Sequence, residues 1–150
     1  MTYEIEVVEM AAQPALVVET ECDLEAISET LAVCFGKVYT HITQNGGMPE
    51  GMPFMRYLAM TDTGFHIQAG MPSQLAGEGE IAAIQLPGGK LATTLFLGPY
   101  HEVGPAWDEL HAWAEARGFD KMGGWDLYEN DPSTVADESE IRTRLYLPAA

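Results

Sequence analysis

The sequence predicts an α+β fold in which a curved antiparallel sheet packs against two helices. Three observations lead to this prediction. Short stretches in which apolar and polar residues alternate indicate eight strands. Two longer stretches with apolar residues at helical spacing indicate one helix in each half of the chain. The order strand, strand, helix, strand, strand occurs twice, which favours a duplication near residue 75.

Length and charge limit the possible classes of function. The chain has 150 residues, which suits one domain over residues 1–150 with pseudo-repeats at about 1–75 and 76–150. It carries 23 Asp and Glu against 7 Lys and Arg, a formal net charge of -16. A surface this negative repels phosphate, so direct nucleic-acid binding is not expected. No signal-peptide pattern or transmembrane-length segment is found, so we expect no membrane insertion and a cytoplasmic location.

The first half of the chain predicts four strands and one helix. A hairpin is expected where Asp62-Thr63-Gly64 separates the last two of these strands. Asp23 is the predicted N-cap of the helix, which extends to about Tyr39. The apolar stripe of the helix contains Leu24, Ile27, Leu31, Cys34, Phe35 and Val38. The predicted strands are residues 3–10, 15–21, 54–61 and 65–71.

The second half repeats this order. Pro87-Gly88-Gly89 predicts a tight turn that joins residues 79–86 and 90–97 as a hairpin. A helix follows, and Gly118 is expected to end it in a left-handed conformation. The apolar stripe of this helix contains Val103, Trp107, Leu110 and Ala114, with Trp113 at its border.

Two strands close the chain. The first opens at Gly123-Gly124 and ends at the turn signal Asn130-Asp131-Pro132. Its alternation sets Asp126 and Tyr128 on one face, so an acid and a phenol share a face. The opposite face carries Trp125 and Leu127. In the second strand one face carries Ile141, Thr143, Leu145 and Leu147, and the other carries Arg142, Arg144 and Tyr146.

These closing strands resemble the end of the GyrI-like domains. The matching strings are Trp-Asp-Leu-Tyr-Glu-Asn-Asp-Pro, from Trp125, and Ile-Arg-Thr-Arg-Leu-Tyr-Leu-Pro, from Ile141. Gly98-Pro99-Tyr100, which precedes the second helix, is similar to a further landmark of the family. GyrI-like domains are effector-binding modules of AraC-type and MerR-type transcription regulators, and they also occur alone. The resemblance implies tandem β-α-β-β (SHS2-type) modules, related by a pseudo-twofold axis, with a ligand cleft between them.

The resemblance also implies that the chain binds a small molecule. In multidrug-binding members the second position of the closing run is commonly a Glu that meets cationic ligands, and Asp126 holds that position here. We therefore expect a stand-alone protein that senses or sequesters an amphipathic, cationic or aromatic molecule. Because only two residues precede the first predicted strand, we expect no helix-turn-helix of its own. The expected ligand-binding residues are Asp126, Tyr128, Tyr57, Trp107 and Tyr146.

The sequence leaves the environment of Asp126 open. In one interpretation Asp126 lies at the edge of an aromatic cleft, where a low dielectric constant strengthens its attraction for a lipophilic cation. In the other it faces outward and pairs with Arg142 or Arg144 of the neighbouring strand. The register between the two closing strands decides between them, and that register cannot be read from the sequence.

Other site chemistries find little support in the sequence. The four histidines are scattered and show no HxH or HExxH spacing, so neither a metal site nor a cofactor is expected. Cys34 falls on the apolar side of the first helix and is expected in the core, and no disulfide is implied. No Gly-x-Ser-x-Gly elbow is present.

Two alternative functions remain beside ligand binding. Some GyrI-like proteins resemble hydrolases that open the cyclopropane ring of alkylating natural products, and Asp126 would then act as an acid or base. Gyrase-inhibiting relatives imply a protein partner, either gyrase or a separate regulator. In that case the acidic surface would compete with DNA for a basic groove. We expect binding rather than catalysis.

Overall fold

The computed structural model describes residues 3–119, 123–130 and 134–149. Over these residues the chain forms eight β-strands and two α-helices, in agreement with the predicted α+β class. The helices are α1 (Ile27–Gln44) and α2 (Gly104–Glu115). The strands are β1 (Glu6–Met10), β2 (Gln13–Asp23), β3 (Phe54–Met60), β4 (Gly64–Pro72), β5 (Ile81–Leu86), β6 (Gly89–Leu97), β7 (Trp125–Tyr128) and β8 (Arg142–Pro148).

The chain divides into two compact units. The first unit, Ala12–Pro87, holds antiparallel strands in the order β5-β2-β4-β3. Helix α1 packs against β2 and β4 and buries one stripe of small and branched residues, namely Leu31, Cys34, Val38 and Ile42. The hairpin predicted across Asp62-Thr63-Gly64 is confirmed as β3–β4. Apolar periodicity therefore located both the helix and the strands that it covers.

The second unit joins Met1–Ala11 to Gly88–Ala150, and its strands are antiparallel in the order β1-β6-β8-β7. Helix α2 packs against β6 and buries the stripe Ala106, Trp107, Leu110 and Ala114. Gly118 follows the helix with φ +76°, the predicted left-handed conformation. The turn predicted at Asn130-Asp131-Pro132 extends into residues 131–133, which lie outside the described part of the chain.

The hairpin predicted at Pro87-Gly88-Gly89 is wrong. Strand β6 is hydrogen-bonded to β1 on one side and to β8 on the other, so it has no free edge for β5. Strand β5 pairs with β2 instead. The first strand of each sequence half thus pairs with the second strand of the other half, and both units have the same strand order. That common order is what a duplication would produce, and the duplication itself stays a prediction.

The start of the first helix also differs from the prediction. A 3-10 turn over Leu24–Ala26 precedes α1, and the Asp23 side chain makes no capping hydrogen bond. The Thr63 hydroxyl donates to Asp23 Oδ1 at 2.5 Å instead. Leu24 is therefore exposed rather than part of the apolar stripe. A hydroxyl in the turn of the β3–β4 hairpin thus binds the carboxylate that the local sequence assigned to the helix.

Both cysteines are free thiols, and both are buried in the first unit. Cys34 contributes to the α1 stripe, as predicted for a core residue. No helix within the described ranges is long and apolar enough to cross a membrane.

Candidate ligand-binding site

The pairing of β7 with β8 decides which side chains share a face. Residues directly opposite each other on neighbouring strands project to the same side of a sheet. Asp126 lies opposite Leu145, and Tyr128 lies opposite Thr143. We call this side the Asp126 face. Trp125, opposite Tyr146, and Leu127, opposite Arg144, define the other side, the Trp125 face.

The Asp126 carboxyl group is buried beneath α2. Only 2% of the Asp126 surface is exposed. The Trp107 indole, in the first turn of α2, donates a hydrogen bond from Nε1 to Asp126 Oδ1 at 2.7 Å. A hydrogen bond to a carboxylate is among the stronger ones in proteins, and a buried carboxylate requires such compensation. Trp107 therefore fixes the position of the acid.

A glycine next to β7 allows this close approach. A Cβ atom on Gly124 would lie 2.9 Å from Trp107 Cη2 and 2.7 Å from the Tyr146 carbonyl oxygen. Any larger residue would therefore displace the indole ring from β7. The second glycine of the predicted Gly123-Gly124 pair has this packing role in addition to opening the strand.

Aromatic rings surround the acid on the same face. Tyr128 is buried, and its ring meets that of Tyr100 edge to face with 5.0 Å between centroids. Burial raises the pKa of Tyr128 well above its usual value, and the nearby Asp126 and Tyr100 add to the effect. The Trp107 ring also lies 5.3 Å from that of His111, one helical turn further along α2. The acid thus lies in a poorly solvated, aromatic environment.

The outward-facing interpretation of Asp126 is wrong. Arg144 lies opposite Leu127, on the Trp125 face, and so on the other side of the sheet from Asp126. Both Arg142 and Arg144 form ion pairs with Glu129, each with a nitrogen–oxygen distance of 3.2 Å. Glu129 follows Trp125 and Leu127 in the alternation, which places it near these two arginines.

Of the five predicted ligand-binding residues, the structure brings three together. Asp126, Trp107 and Tyr128 share the Asp126 face. Tyr146 lies on the Trp125 face, where its ring stacks on Trp125 at 5.4 Å with 26° between the planes. Tyr57 belongs to the first unit, in β3, and its ring packs edge to face against Phe65 at 5.0 Å.

Two residues join this group that were not predicted for it. Tyr100 contacts Tyr128, and its position after Gly98-Pro99 was the available signal. Thr143 is 1% exposed on the Asp126 face, and its hydroxyl has no hydrogen-bond partner among the described residues. Thr143 could be assigned to this face only once the register of β8 with β7 was known. We call Asp126, Trp107, Tyr128, Tyr100 and Thr143 the Asp126 cluster.

No metal-binding chemistry accompanies this cluster in the described part of the chain. Within residues 3–119, 123–130 and 134–149, no three His, Cys, Asp or Glu side chains are grouped so that they could hold a metal ion.

The family of this chain follows from a match to a known protein-family model. The model of the GyrI-like small molecule binding domain matches residues 3–150, nearly the whole chain. The chain belongs to the GyrI-like family. The resemblance in the closing strands is therefore confirmed, and with it the broad function of small-molecule binding. No curated protein matches the GyrI-like chain significantly.

Solved structures share the GyrI-like fold of this chain at low sequence identity. The EcmrR C-terminal domain is 16% identical, with a TM-score of 0.78 over 100% of this chain and 99% of that one. EcmrR in a complex with DNA is 15% identical, with a TM-score of 0.77 over 97% of this chain. The GyrI-like chain spans 57% of that EcmrR chain. SAV2435 bound to tetraphenylphosphonium is 13% identical, with a TM-score of 0.63 over 100% of this chain and 94% of that one.

Proposed function

We propose that this GyrI-like protein binds lipophilic aromatic cations, and that Asp126 is the residue that recognises their charge. The observation that carries the proposal is a buried carboxyl group, held by the Trp107 indole at 2.7 Å and surrounded by aromatic rings. Small-molecule binding follows from the family. The class of ligand and the role of Asp126 are the proposed part.

Burial makes an acid selective for charge. Two unit charges about 6 Å apart attract by roughly 3 kcal/mol at an effective dielectric constant of about 20, and by less than 1 kcal/mol in bulk water. A cation beside Asp126 would gain this energy, whereas a neutral ligand of the same shape would not. The faces of Tyr128 and Trp107 add cation–π attraction for a charged group near their rings.

Binding brings the ligand to a carboxylate whose Oδ1 atom accepts a hydrogen bond from Trp107. The ligand either displaces the Trp107 N–H or shares the carboxylate with it. A phosphonium ion has no N–H to donate, so charge alone would have to offset any lost hydrogen bond. Trp107 fluorescence should therefore change on binding. The relative SAV2435 is described as bound to tetraphenylphosphonium, which makes this ion a suitable probe.

The overall charge of the chain requires a control. A net charge of -16 attracts any cation to the surface without a specific site. Salt weakens that general attraction, because the screening length is about 10 Å at 0.1 M ionic strength. It screens a buried pair much less. A specific site should therefore retain most of its affinity for the cation at higher salt.

Calorimetric titration with two ions of matched shape tests the proposal. Tetraphenylphosphonium and tetraphenylborate have four phenyl rings each and opposite charges. We expect the native protein to bind the phosphonium with saturation and Asp126→Asn to weaken this binding about 10- to 100-fold. Asp108→Asn removes the same charge from an exposed position of α2 and should leave the affinity unchanged.

The outcomes separate the proposal from its alternatives. Equal phosphonium affinity in Asp126→Asn and Asp108→Asn would reject Asp126 as the recognising acid. Saturation at one equivalent is expected of a binding protein, whereas consumption of an excess of an electrophilic cyclopropane compound would indicate a hydrolase. Gyrase inhibition that is lost when several surface Glu are changed to Gln, but kept in Asp126→Asn, would indicate a protein partner.

A further inference from the structure

Thr143 carries a buried hydroxyl group that has no hydrogen-bond partner within residues 3–119, 123–130 and 134–149. The residue is 1% exposed, and its Oγ1 atom makes no hydrogen bond to the described residues. Most buried polar atoms in proteins are paired, because an unpaired one lowers stability. A valine would fill the same volume without this cost. The hydroxyl can therefore bind a ligand group if its position in the fold brings it to the site.

Its position links the hydroxyl to the Asp126 cluster. Thr143 lies directly opposite Tyr128 on β7 and opposite Phe96 on β6. Asp126 lies opposite Leu145, so Asp126 and Thr143 form a diagonal pair on the same face. The α-carbons of such diagonal pairs are about 7–8 Å apart. This is about the length of two fused aromatic rings.

We propose that Thr143 Oγ1 is the second polar contact of the Asp126 cluster, for an N–H, O–H or C=O group of the ligand. The inference rests on the proposed function and narrows its ligand class. The expected ligand is a planar aromatic cation with a polar substituent about one ring system away from its charge. Asp126 recognises the charge, and Thr143 recognises the substituent.

The chain offers a matched control in Thr93. Its hydroxyl is also buried, at 3% exposure, and also has no hydrogen-bond partner among the described residues. Thr93 lies opposite Tyr146 and therefore on the Trp125 face, on the other side of the sheet from Asp126. Thr93→Val and Thr143→Val remove the same group from the same sheet, and only the second variant changes the proposed site.

Two acridine dyes provide the test. Proflavine and acridine orange are planar cations at neutral pH with the same ring system, and methylation removes the exocyclic N–H groups in acridine orange. We expect Thr143→Val to weaken proflavine binding about 3- to 10-fold and to change acridine orange binding less than about twofold. Thr143→Ser should keep proflavine affinity, because it keeps the hydroxyl. Thr93→Val should leave the affinity for both dyes unchanged. Both valine variants should have a melting temperature equal to or above that of the native protein.

Each contrary result has a distinct meaning. If Thr143→Val affects both dyes alike, or neither, the inference is overturned. If acridine orange still depends on Asp126 in that case, the proposed function stands. If Asp126→Asn leaves both dyes unaffected, or if neither dye binds the native protein, the proposed function fails and the inference fails with it.

Discussion

Replacing Trp107 by Phe removes the donor that holds Asp126. The lost hydrogen bond is 2.7 Å long and ends on a carboxyl group that is 2% exposed. Hydrogen bonds to charged groups contribute about 1.5–3 kcal/mol to stability. The smaller ring also leaves part of a buried volume empty, which adds about 1–2 kcal/mol. We therefore expect Trp107→Phe to lower the free energy of unfolding by about 2.5–5 kcal/mol.

Urea denaturation followed by circular dichroism measures this change without relying on the fluorophore that the substitution removes. Trp113→Phe is the matched control on the same helix. Trp113 is half-buried, and its ring packs against Phe119 and under the Arg117 guanidinium. Trp113→Phe should lower the free energy of unfolding by no more than about 1 kcal/mol.

A double-mutant cycle separates the hydrogen bond from the lost volume. Trp107→Phe is combined with Asp126→Leu, which removes the acceptor and keeps a similar size. We expect an interaction energy of about 1.5–3 kcal/mol between the two changes. An interaction energy below about 0.5 kcal/mol, or equal effects of Trp107→Phe and Trp113→Phe, would refute the reasoning.

Two further predictions concern the alkaline pH range and the β2–β4 pairing. Because its pKa is raised in the fold, Tyr128 keeps its proton when an unfolded tyrosine loses it above about pH 10. Its contribution to stability is thus complete below that pH and declines above it. Unfolding free energies at pH 9 to 11 should fall less steeply in Tyr128→Phe, and equal slopes would contradict the prediction. In β4, a Cβ atom on Gly70 would lie far inside the van der Waals radius of the Leu16 carbonyl oxygen of β2. In chemical denaturation, the free energy of unfolding of Gly70→Ala should be about 3 kcal/mol lower than that of the native protein, or the variant should fail to fold. Gly36 lies in open space on α1, so Gly36→Ala should raise the free energy of unfolding by about 0.5–1 kcal/mol. Native-like stability of Gly70→Ala would show that the strands can separate there.

The sequence predicted the features that depend on local periodicity. The alternation in β7 and β8 gave the faces of both strands correctly, because side chains alternate whatever the partner strand is. The helical stripe placed Trp107 on the buried side of α2. The family resemblance then singled out Asp126, and the structure joins these two residues by a hydrogen bond.

Features that depend on distant partners could not be predicted in this way. The Gly-Gly turn after β5 indicated a chain reversal, but both edges of β6 are occupied by strands from the two ends of the chain. Asp23 has the right local position for an N-cap, and a hydroxyl 40 residues away takes its carboxylate. Thr143 likewise joined the cluster only through the register of β8 with β7.

The most direct test of the central claim is a crystal structure of the protein with tetraphenylphosphonium. We predict that the phosphorus atom lies on the Asp126 face, about 6 Å from the carboxylate, with phenyl rings against Tyr128 and Trp107. A phosphonium bound instead against the stacked Trp125 and Tyr146 rings, with the Trp107–Asp126 hydrogen bond intact, would contradict it.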